Sequence, residues 1–150
     1  MTKQWIVVDL DGTLCDCSHR VHWAQAKQWD EFHAGIHEDK CNEDVANMLS
    51  LAAYSYEVLV CTGRNEAHRK ATEDWLTRHG LGAVVTDMLM RPDNDRSPDH
   101  ELKIRLVCEY FGGMDNALKS VLLVLDDRDK VVEAWRDAGF KCWQVQQGSY

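Results

Sequence analysis

Three short apolar runs in this chain are each followed by polar or charged side chains that could do chemistry. The pairs are Asp9 and Asp11, Thr62 and Arg64, and Asp126 and Asp127. Carboxylates gathered in one place repel one another, and a divalent cation with oxygen ligands relieves that repulsion. Because Mg²⁺ also suits a site that holds phosphate, these residues predict a magnesium-dependent phosphate site, provided that the fold brings them together.

The elements that must position these residues alternate between strand and helix. Apolar runs predict strands at 5–8, 58–61, 83–90, 121–125 and 140–145. Helical spacing of apolar residues predicts helices that begin near residues 43, 66, 99 and 129. This alternation predicts a parallel sheet with helices on both faces, in which the carboxyl ends of the strands share one crevice. Residues 14–42 depart from the alternation and are predicted to form a short helical insertion.

Length and composition limit the class of protein. The chain has 150 residues, of which 45% are apolar and 28% charged, and this predicts a single soluble domain over 1–150. Its 17 basic and 25 acidic residues give a formal charge of 17 − 25 = −8, which disfavours a protein that coats nucleic acid or an anionic membrane. No apolar run is long enough to span a bilayer, and the first residues do not form a signal peptide. We therefore interpret the six cysteines as reduced thiols of a cytoplasmic protein.

The ordered motifs resemble a known family over about residues 5–145. Four elements resemble, in order and spacing, the motifs of the haloacid dehalogenase-like (HAD) phosphatases: Asp9-Leu10-Asp11-Gly12-Thr13, Cys61-Thr62-Gly63-Arg64, Lys103 early in a helix, and Leu125-Asp126-Asp127. Within that superfamily, the segment from Asp126 to Val145 is similar to the phosphatase domain of bacteriophage-type polynucleotide kinase/phosphatase. The Gly-x-x-x-x-Gly-Lys-Ser/Thr pattern of a kinase half does not occur in the sequence. The resemblance implies an α/β fold, three-layered and doubly wound (Rossmann-like), with a mostly parallel five-stranded sheet.

The same resemblance implies a role for each motif residue. Asp9 would attack phosphorus and form an aspartyl-phosphate. Asp11 would protonate the leaving group and then activate water, and we expect crowding by neighbouring acids to raise its pKa. Asp9, the backbone carbonyl of Asp11 and Asp126 would hold Mg²⁺, with Asp127 as a further or more distant ligand. Thr62 and Lys103 would bind the transferring phosphoryl oxygens.

Further residues are expected to bind substrate. Arg64 and Arg91 would contact the substrate, since guanidinium groups match phosphate geometry, and Arg20 also falls where the family places an arginine. Gly12 and Gly63 lie within the first two motifs, and Gly12 permits close approach to backbone N–H groups. The implied substrate is a phosphorylated nucleotide or nucleic-acid terminus, most directly a 3′-phosphate; no protein partner and no membrane are predicted.

Alternative interpretations exist for the function. The small insertion leaves the crevice open to a polynucleotide end, but mononucleotides and small phosphorylated metabolites also fit an open site. A silent module that only binds phosphate ends is a third hypothesis, and the intact Asp9 and Asp11 pair argues against it.

Alternatives also exist for individual residues. The motif acids could be ordinary turn residues and Thr62 a helix cap, although the complete ordered set disfavours this. A zinc site at Cys15, Cys17, His19 and His22 is disfavoured by the tight Cys-x-Cys spacing. Trp23 and Trp29 either stack on a base or pack the insertion against the sheet. Trp135 and Trp143 are predicted to lie in the core.

The charge balance of the predicted site differs from that of the whole chain. Four basic residues, Arg20, Arg64, Arg91 and Lys103, oppose the four aspartates, so the site sums to 4 − 4 = 0 before Mg²⁺ is added. The remaining residues therefore carry the entire charge of −8. An acidic body around such a crevice predicts recognition of a single phosphate end and little affinity for unphosphorylated duplex.

Overall fold

The computed structural model describes residues 2–148. The strands are β1 Trp5–Val8, β2 Cys15–Asp16, β3 Lys40–Cys41, β4 Glu57–Asn65, β5 Asp87–Arg91, β6 Val121–Arg128 and β7 Cys142–Gly148. The α-helices are α1 Val21–Gln25, α2 Trp29–Ala34, α3 Glu43–Ala52, α4 Arg69–Arg78, α5 Asp99–Tyr110, α6 Met114–Ser120 and α7 Asp129–Asp137. None of the helices in the described part of the chain has the length and apolarity needed to cross a membrane.

Five strands form one parallel sheet in the order β5-β4-β1-β6-β7. One apolar cluster of buried side chains includes Val8, Val60 and Trp75, and a second includes Val7, Leu59 and Trp135. Successive side chains of a strand point to opposite faces, so alternate residues of β1 and β4 enter different clusters. The sheet therefore has a packed layer on each face, which confirms the predicted three-layer, doubly wound fold.

Residues 14–42 form a small insertion after the first strand. It contains α1, α2 and two short 3₁₀ helices, and its ends are closed by pairing of β2 with β3. The amide N–H of Asn42 also donates to the carbonyl of Leu14 at 2.9 Å. The insertion is helical as predicted, but a two-residue antiparallel ladder joins its two ends.

Three details of the sequence prediction are wrong. The third strand is Asp87–Arg91 rather than 83–90, because the amides of Val84 and Val85 both bond back to Leu81 and turn the chain. The helix Met114–Ser120 follows Gly113 and was not predicted. Trp143 is 62% exposed because it lies on β7, an edge strand, whereas Trp135 is fully buried as predicted.

Candidate active site

The central strand β1 brings the first and last acidic motifs together. Val8 is in register with Val60 of β4 on one side and with Leu125 of β6 on the other. The amide of Asp9 continues this ladder and donates to the carbonyl of Leu125 at 3.0 Å. Residues at the carboxyl ends of these three strands consequently meet at one edge of the sheet, although the first and the last of them are more than 100 positions apart in the chain.

Three aspartates form a buried cluster at this edge. Asp9, Asp126 and Asp127 each place a carboxylate oxygen within 4.8 Å of the others. Lys103 donates from Nζ to Asp9 Oδ1 and to Asp126 Oδ2, both at 2.9 Å. Burial and the charge of Asp126 raise the pKa of Asp9 well above its usual range, although Lys103 acts in the opposite direction. Asp9 is therefore a candidate nucleophile, hydrogen-bonded to the ammonium group of Lys103 in a buried site.

The donor atoms of this cluster fit a magnesium ion. When all four groups are ionised, three carboxylates and Lys103 sum to 1 − 3 = −2, and a divalent cation would neutralise that charge. Asp9, Asp126 and Asp127 are the one set of three or more potential ligands that lies close enough to share an ion within residues 2–148. The cysteines and histidines considered for zinc do not form such a set.

Asp11 is held by two arginines. Arg64 donates to it from Nε at 3.0 Å and from Nη2 at 2.6 Å, and Arg20 donates from Nη2 at 2.5 Å. Burial by itself would raise the pKa of Asp11, but the charges and hydrogen bonds of Arg64 and Arg20 outweigh it and hold the pKa below the usual range. The sequence expectation of a raised pKa is therefore wrong for this arrangement. That expectation rested on the neighbouring acids, whereas the groups that bond Asp11 in the structure are the two arginines.

Asp39 is a site residue that the sequence motifs missed. Its buried carboxylate accepts from Arg20 Nε at 2.8 Å and Nη2 at 2.5 Å, from Arg64 Nη2 at 3.4 Å, and lies 2.7 Å from His19 Nε2. Its backbone carbonyl accepts from Trp75 Nε1 at 2.9 Å. Asp39 lies in the insertion and belongs to no motif, so no local signal marked it.

The second motif is packed against the start of α5. Thr62 is buried, and its Oγ1 accepts from the amide of Arg64 at 3.2 Å. A Cβ added to Gly63 would lie 2.6 Å from Asp99 Oδ1, so only glycine fits there without a shift. Arg91 does not bond a motif carboxylate; it donates to the carbonyl of Gly63 at 3.0 Å and to Asp99 at 2.5 Å. Its predicted contact with substrate stays a prediction.

The first motif turn is held by residues far along the chain. Gly12 adopts a φ of +84°, a conformation that favours glycine, and its carbonyl accepts from Gln146 Nε2 at 2.6 Å. Thr13 Oγ1 lies 3.2 Å from carboxylate oxygens of both Asp9 and Asp127. A Cβ on Gly148 would lie 2.6 Å from Asp127 Oδ2, so the end of β7 packs directly against the acidic cluster.

Relatives share this architecture. The chain is 26% identical over 134 residues to a protein of Autographa californica nuclear polyhedrosis virus described as a bifunctional polynucleotide kinase/RNA ligase, which covers 88% of this chain and 18% of that protein. A chain in the structure of the Pnkp1/Rnl/Hen1 RNA repair complex superposes with a TM-score of 0.82 and 30% identity, over 99% of this chain and 44% of that one. The protein thus spans less than half the length of these relatives.

A more distant structure shows the fold alone. A haloacid dehalogenase-like hydrolase from Streptococcus pneumoniae matches with a TM-score of 0.68 at 12% identity, over 97% of this chain and 87% of that one. The family match covers nearly the whole chain: residues 3–150 match the family described as the polynucleotide kinase PNKP phosphatase domain. The ordered motifs, the five-stranded sheet and this match agree, and the chain belongs to the PNKP phosphatase domain family of the HAD phosphatases.

Proposed function

We propose that this protein is a Mg²⁺-dependent phosphomonoesterase that removes a terminal phosphate, specifically a 3′-phosphate, from a polynucleotide. The observation that carries the proposal is the position of Asp9, which bonds Lys103 and lies in one cluster with the acids Asp126 and Asp127. The family match supports polynucleotide ends as the class of substrate.

Asp9 is the nucleophile in this proposal. Its Oδ2 would attack phosphorus while the leaving alkoxide departs on the opposite side, which forms an aspartyl-phosphate and splits one difficult displacement into two. Lys103 bonds Oδ1 of the same carboxylate and would also bind the transferring phosphoryl oxygens together with Thr62. When bound by Asp9, Asp126, Asp127 and the Asp11 carbonyl, Mg²⁺ would neutralise charge that develops on the phosphoryl group.

Asp11 is the acid and base. Its lowered pKa keeps it ionised before substrate binds, and an ionised carboxylate is already in the form that takes a proton from the water that hydrolyses the aspartyl-phosphate. Its role as acid in the first step requires a proton. A phosphate dianion entering beside Asp11 would raise the pKa of that carboxyl, which provides for protonation once substrate is bound.

The test is a substrate panel assayed with and without Mg²⁺. We expect the protein to hydrolyse 3′-phosphorylated oligonucleotides faster than 5′-phosphorylated oligonucleotides, free nucleotides or sugar phosphates. Faster hydrolysis of mononucleotides or metabolites would replace the proposal with the mononucleotide alternative. Binding of phosphate ends without any hydrolysis would support the silent module. Labelled phosphate trapped on the protein after an acid quench, and absent from an Asp9→Asn variant, would test the covalent intermediate.

Partners and location stay predictions. No protein partner is predicted from the sequence, whereas two solved relatives come from structures of Pnkp1/Rnl/Hen1 complexes. Purification of the protein from native cells, followed by identification of any proteins that co-purify with it, would show whether it acts alone or in a complex. A cytoplasmic location is likewise a prediction, which fractionation would test.

A further inference from the structure

Two histidine rings are stacked beside the site. The imidazoles of His33, on α2, and His68, on the 3₁₀ helix that follows β4, have ring centroids 4.2 Å apart and planes inclined by 15°. Both side chains are partly exposed. The contact joins the insertion to the segment after the second motif, and neither histidine has a role in the chemistry proposed for the phosphate.

Both histidines are connected to the arginines that hold Asp11. Arg20 donates from Nη1 to the carbonyl of Phe32 at 3.1 Å, and its guanidinium lies 4.2 Å from the centre of the Phe32 ring. Phe32 is the residue before His33 in α2. The stacked pair is therefore connected from the insertion side to the same arginine that bonds Asp11.

The second connection reaches His68. Arg64 donates from Nη1 to Thr72 Oγ1 at 3.1 Å, and that hydroxyl donates to the carbonyl of His68 at 2.8 Å. Asp11 is 17% exposed at its side chain, whereas the side chains of Asp9 and Asp126 are 6% and 1% exposed. Asp11, the group that meets the leaving group, is thus the most exposed of these three acids, and it lies near enough to His33 for its charge to act against the effect of burial on the pKa of that ring.

The rings are uncharged at neutral pH. His33 Nδ1 lies 2.8 Å from the carbonyl of Trp29, and a carbonyl only accepts, so Nδ1 carries the hydrogen and Nε2 is an acceptor in the neutral ring. Burial and the neighbouring His68 lower the pKa of His33 to about 4. Burial and the charge of Arg64 also lower the pKa of His68. Neutral aromatic faces suit a nucleobase better than a phosphate.

An exposed tryptophan lies on the same helix as His33. Trp29 begins α2, is 53% exposed, and meets Phe32 edge to face with centroids 6.0 Å apart. Phe32 in turn meets His33 edge to face at 5.3 Å. A large aromatic ring that stays half in water gains by covering its face, and nucleobases stack on such rings whatever their sequence.

We propose that Trp29, His33 and His68 form a subsite that stacks the terminal nucleobase of the substrate while its phosphate lies at Asp9. This subsite rests on the proposed function, because it requires that the leaving group be a nucleoside. The insertion, which supplies Trp29 and His33, would then help the protein to distinguish a nucleotide end from other phosphomonoesters.

The experiment compares substrates with and without the terminal base. The ratio of kcat/KM is measured for a 3′-phosphorylated oligonucleotide and for the same oligonucleotide with an abasic terminal nucleotide. We expect Trp29→Ala and His68→Ala each to lower this ratio about tenfold, in line with the loss of one stacking contact. His37→Ala is the matched control, an exposed histidine of the same insertion, and should leave the ratio unchanged. Trp29→Phe should restore most of the ratio, since it keeps an aromatic ring.

The outcomes separate this subsite from the proposed function. If the ratio is unchanged in Trp29→Ala and His68→Ala, the subsite is overturned. This holds even if both variants have a lower kcat/KM, because a loss of packing would lower it equally for both substrates. If the protein hydrolyses p-nitrophenyl phosphate but no oligonucleotide, the proposed function fails. In that case base stacking is tested without turnover, by the fluorescence of 2-aminopurine nucleoside 3′-phosphate. Quenching of this fluorescence by the Asp9→Asn protein is compared with quenching by the Asp9→Asn protein that also carries Trp29→Ala. Equal quenching by the two would also overturn the subsite.

Discussion

Asp39 and Arg20 form a buried two-point pair, in which the guanidinium donates to both oxygens of the carboxylate, from Nε at 2.8 Å and from Nη2 at 2.5 Å. The same carboxylate accepts from Arg64 at 3.4 Å. Because both arginines also bond Asp11, Asp39 is a second, fixed counter-charge for the two arginines that hold the proposed acid and base. Fork-shaped donation of this kind sets direction as well as energy.

Replacing Asp39 should therefore affect stability and catalysis together. Asp39→Ala leaves two buried arginines short of a counter-charge, and we expect a loss of about 3–5 kcal/mol in the free energy of unfolding. Urea denaturation followed by circular dichroism measures this loss. Glu38→Ala, at a neighbouring exposed side chain, should change stability by less than about 0.5 kcal/mol. Equal stabilities for the two variants would contradict the assigned role of Asp39.

Asp9→Asn should abolish turnover without unfolding the protein. The substitution keeps the shape of the side chain, removes the proposed nucleophilic carboxylate, and relieves repulsion from Asp126, which contributes to the raised pKa of Asp9. We expect a thermal midpoint equal to or above that of the unaltered protein, and no measurable hydrolysis of any phosphomonoester. Asp93→Asn, an exposed position, serves as the control and should keep full activity. Turnover in purified Asp9→Asn would exclude Asp9 as nucleophile.

Magnesium should stabilise the folded protein through the three buried acids. A ligand that binds only the folded state at about 100 times its Kd adds about 2.7 kcal/mol to the free energy of unfolding. We expect the thermal midpoint to rise with Mg²⁺ concentration and this rise to disappear in Asp126→Asn, which loses one ligand charge. A midpoint that does not respond to Mg²⁺, in a protein that is otherwise folded, would argue against the magnesium site.

Gly63→Ala should disturb the second motif through Asp99. The added Cβ would lie 2.6 Å from Asp99 Oδ1 and would push this carboxylate away from Arg91 and Arg128, which both bond it. We expect a loss of about 1–3 kcal/mol in stability, as for other overpacked sites, together with reduced kcat. Gly82→Ala is the comparison, because its Cβ would meet only Thr77, whose nearest atom, Oγ1, would lie 3.3 Å away. A larger effect at Gly82 than at Gly63 would contradict this reasoning.

The fold was predictable from the sequence because its signals are local. The run Val121–Leu125 followed by two aspartates predicts a strand with candidate site residues at its carboxyl end. The structure has this strand as β6, which contains both aspartates near its end. Prediction failed where backbone hydrogen bonds or the place of a strand in the sheet decide the outcome. Residues 83–85 have the composition of a strand, yet the amides of Val84 and Val85 bond back to Leu81 and turn the chain there. Trp143 is of a type common in cores but lies exposed on an edge strand.

The candidate site divides in the same way. Asp9, Lys103 and Asp126 were recognisable from their motifs, and the structure brings them within hydrogen-bonding distance of one another through Lys103. Gln146, which holds the carbonyl of Gly12 from 134 positions away, carries no motif. Its role depends on the place of β7 beside β6, which no local pattern specifies.

By itself, then, the sequence determined the order of strands and helices and the residues at each strand end, since these follow from apolar spacing and motif composition. Only the tertiary structure decided the environment of each ionisable group. Asp9 and Asp11 are two positions apart in one turn, yet burial among acids raises the pKa of the first and two arginines lower that of the second. The physical reason is that the chain turns after β1 ends, so the two carboxylates meet charged partners from different and distant parts of the chain: Lys103 and Asp126 at Asp9, and Arg20 and Arg64 at Asp11.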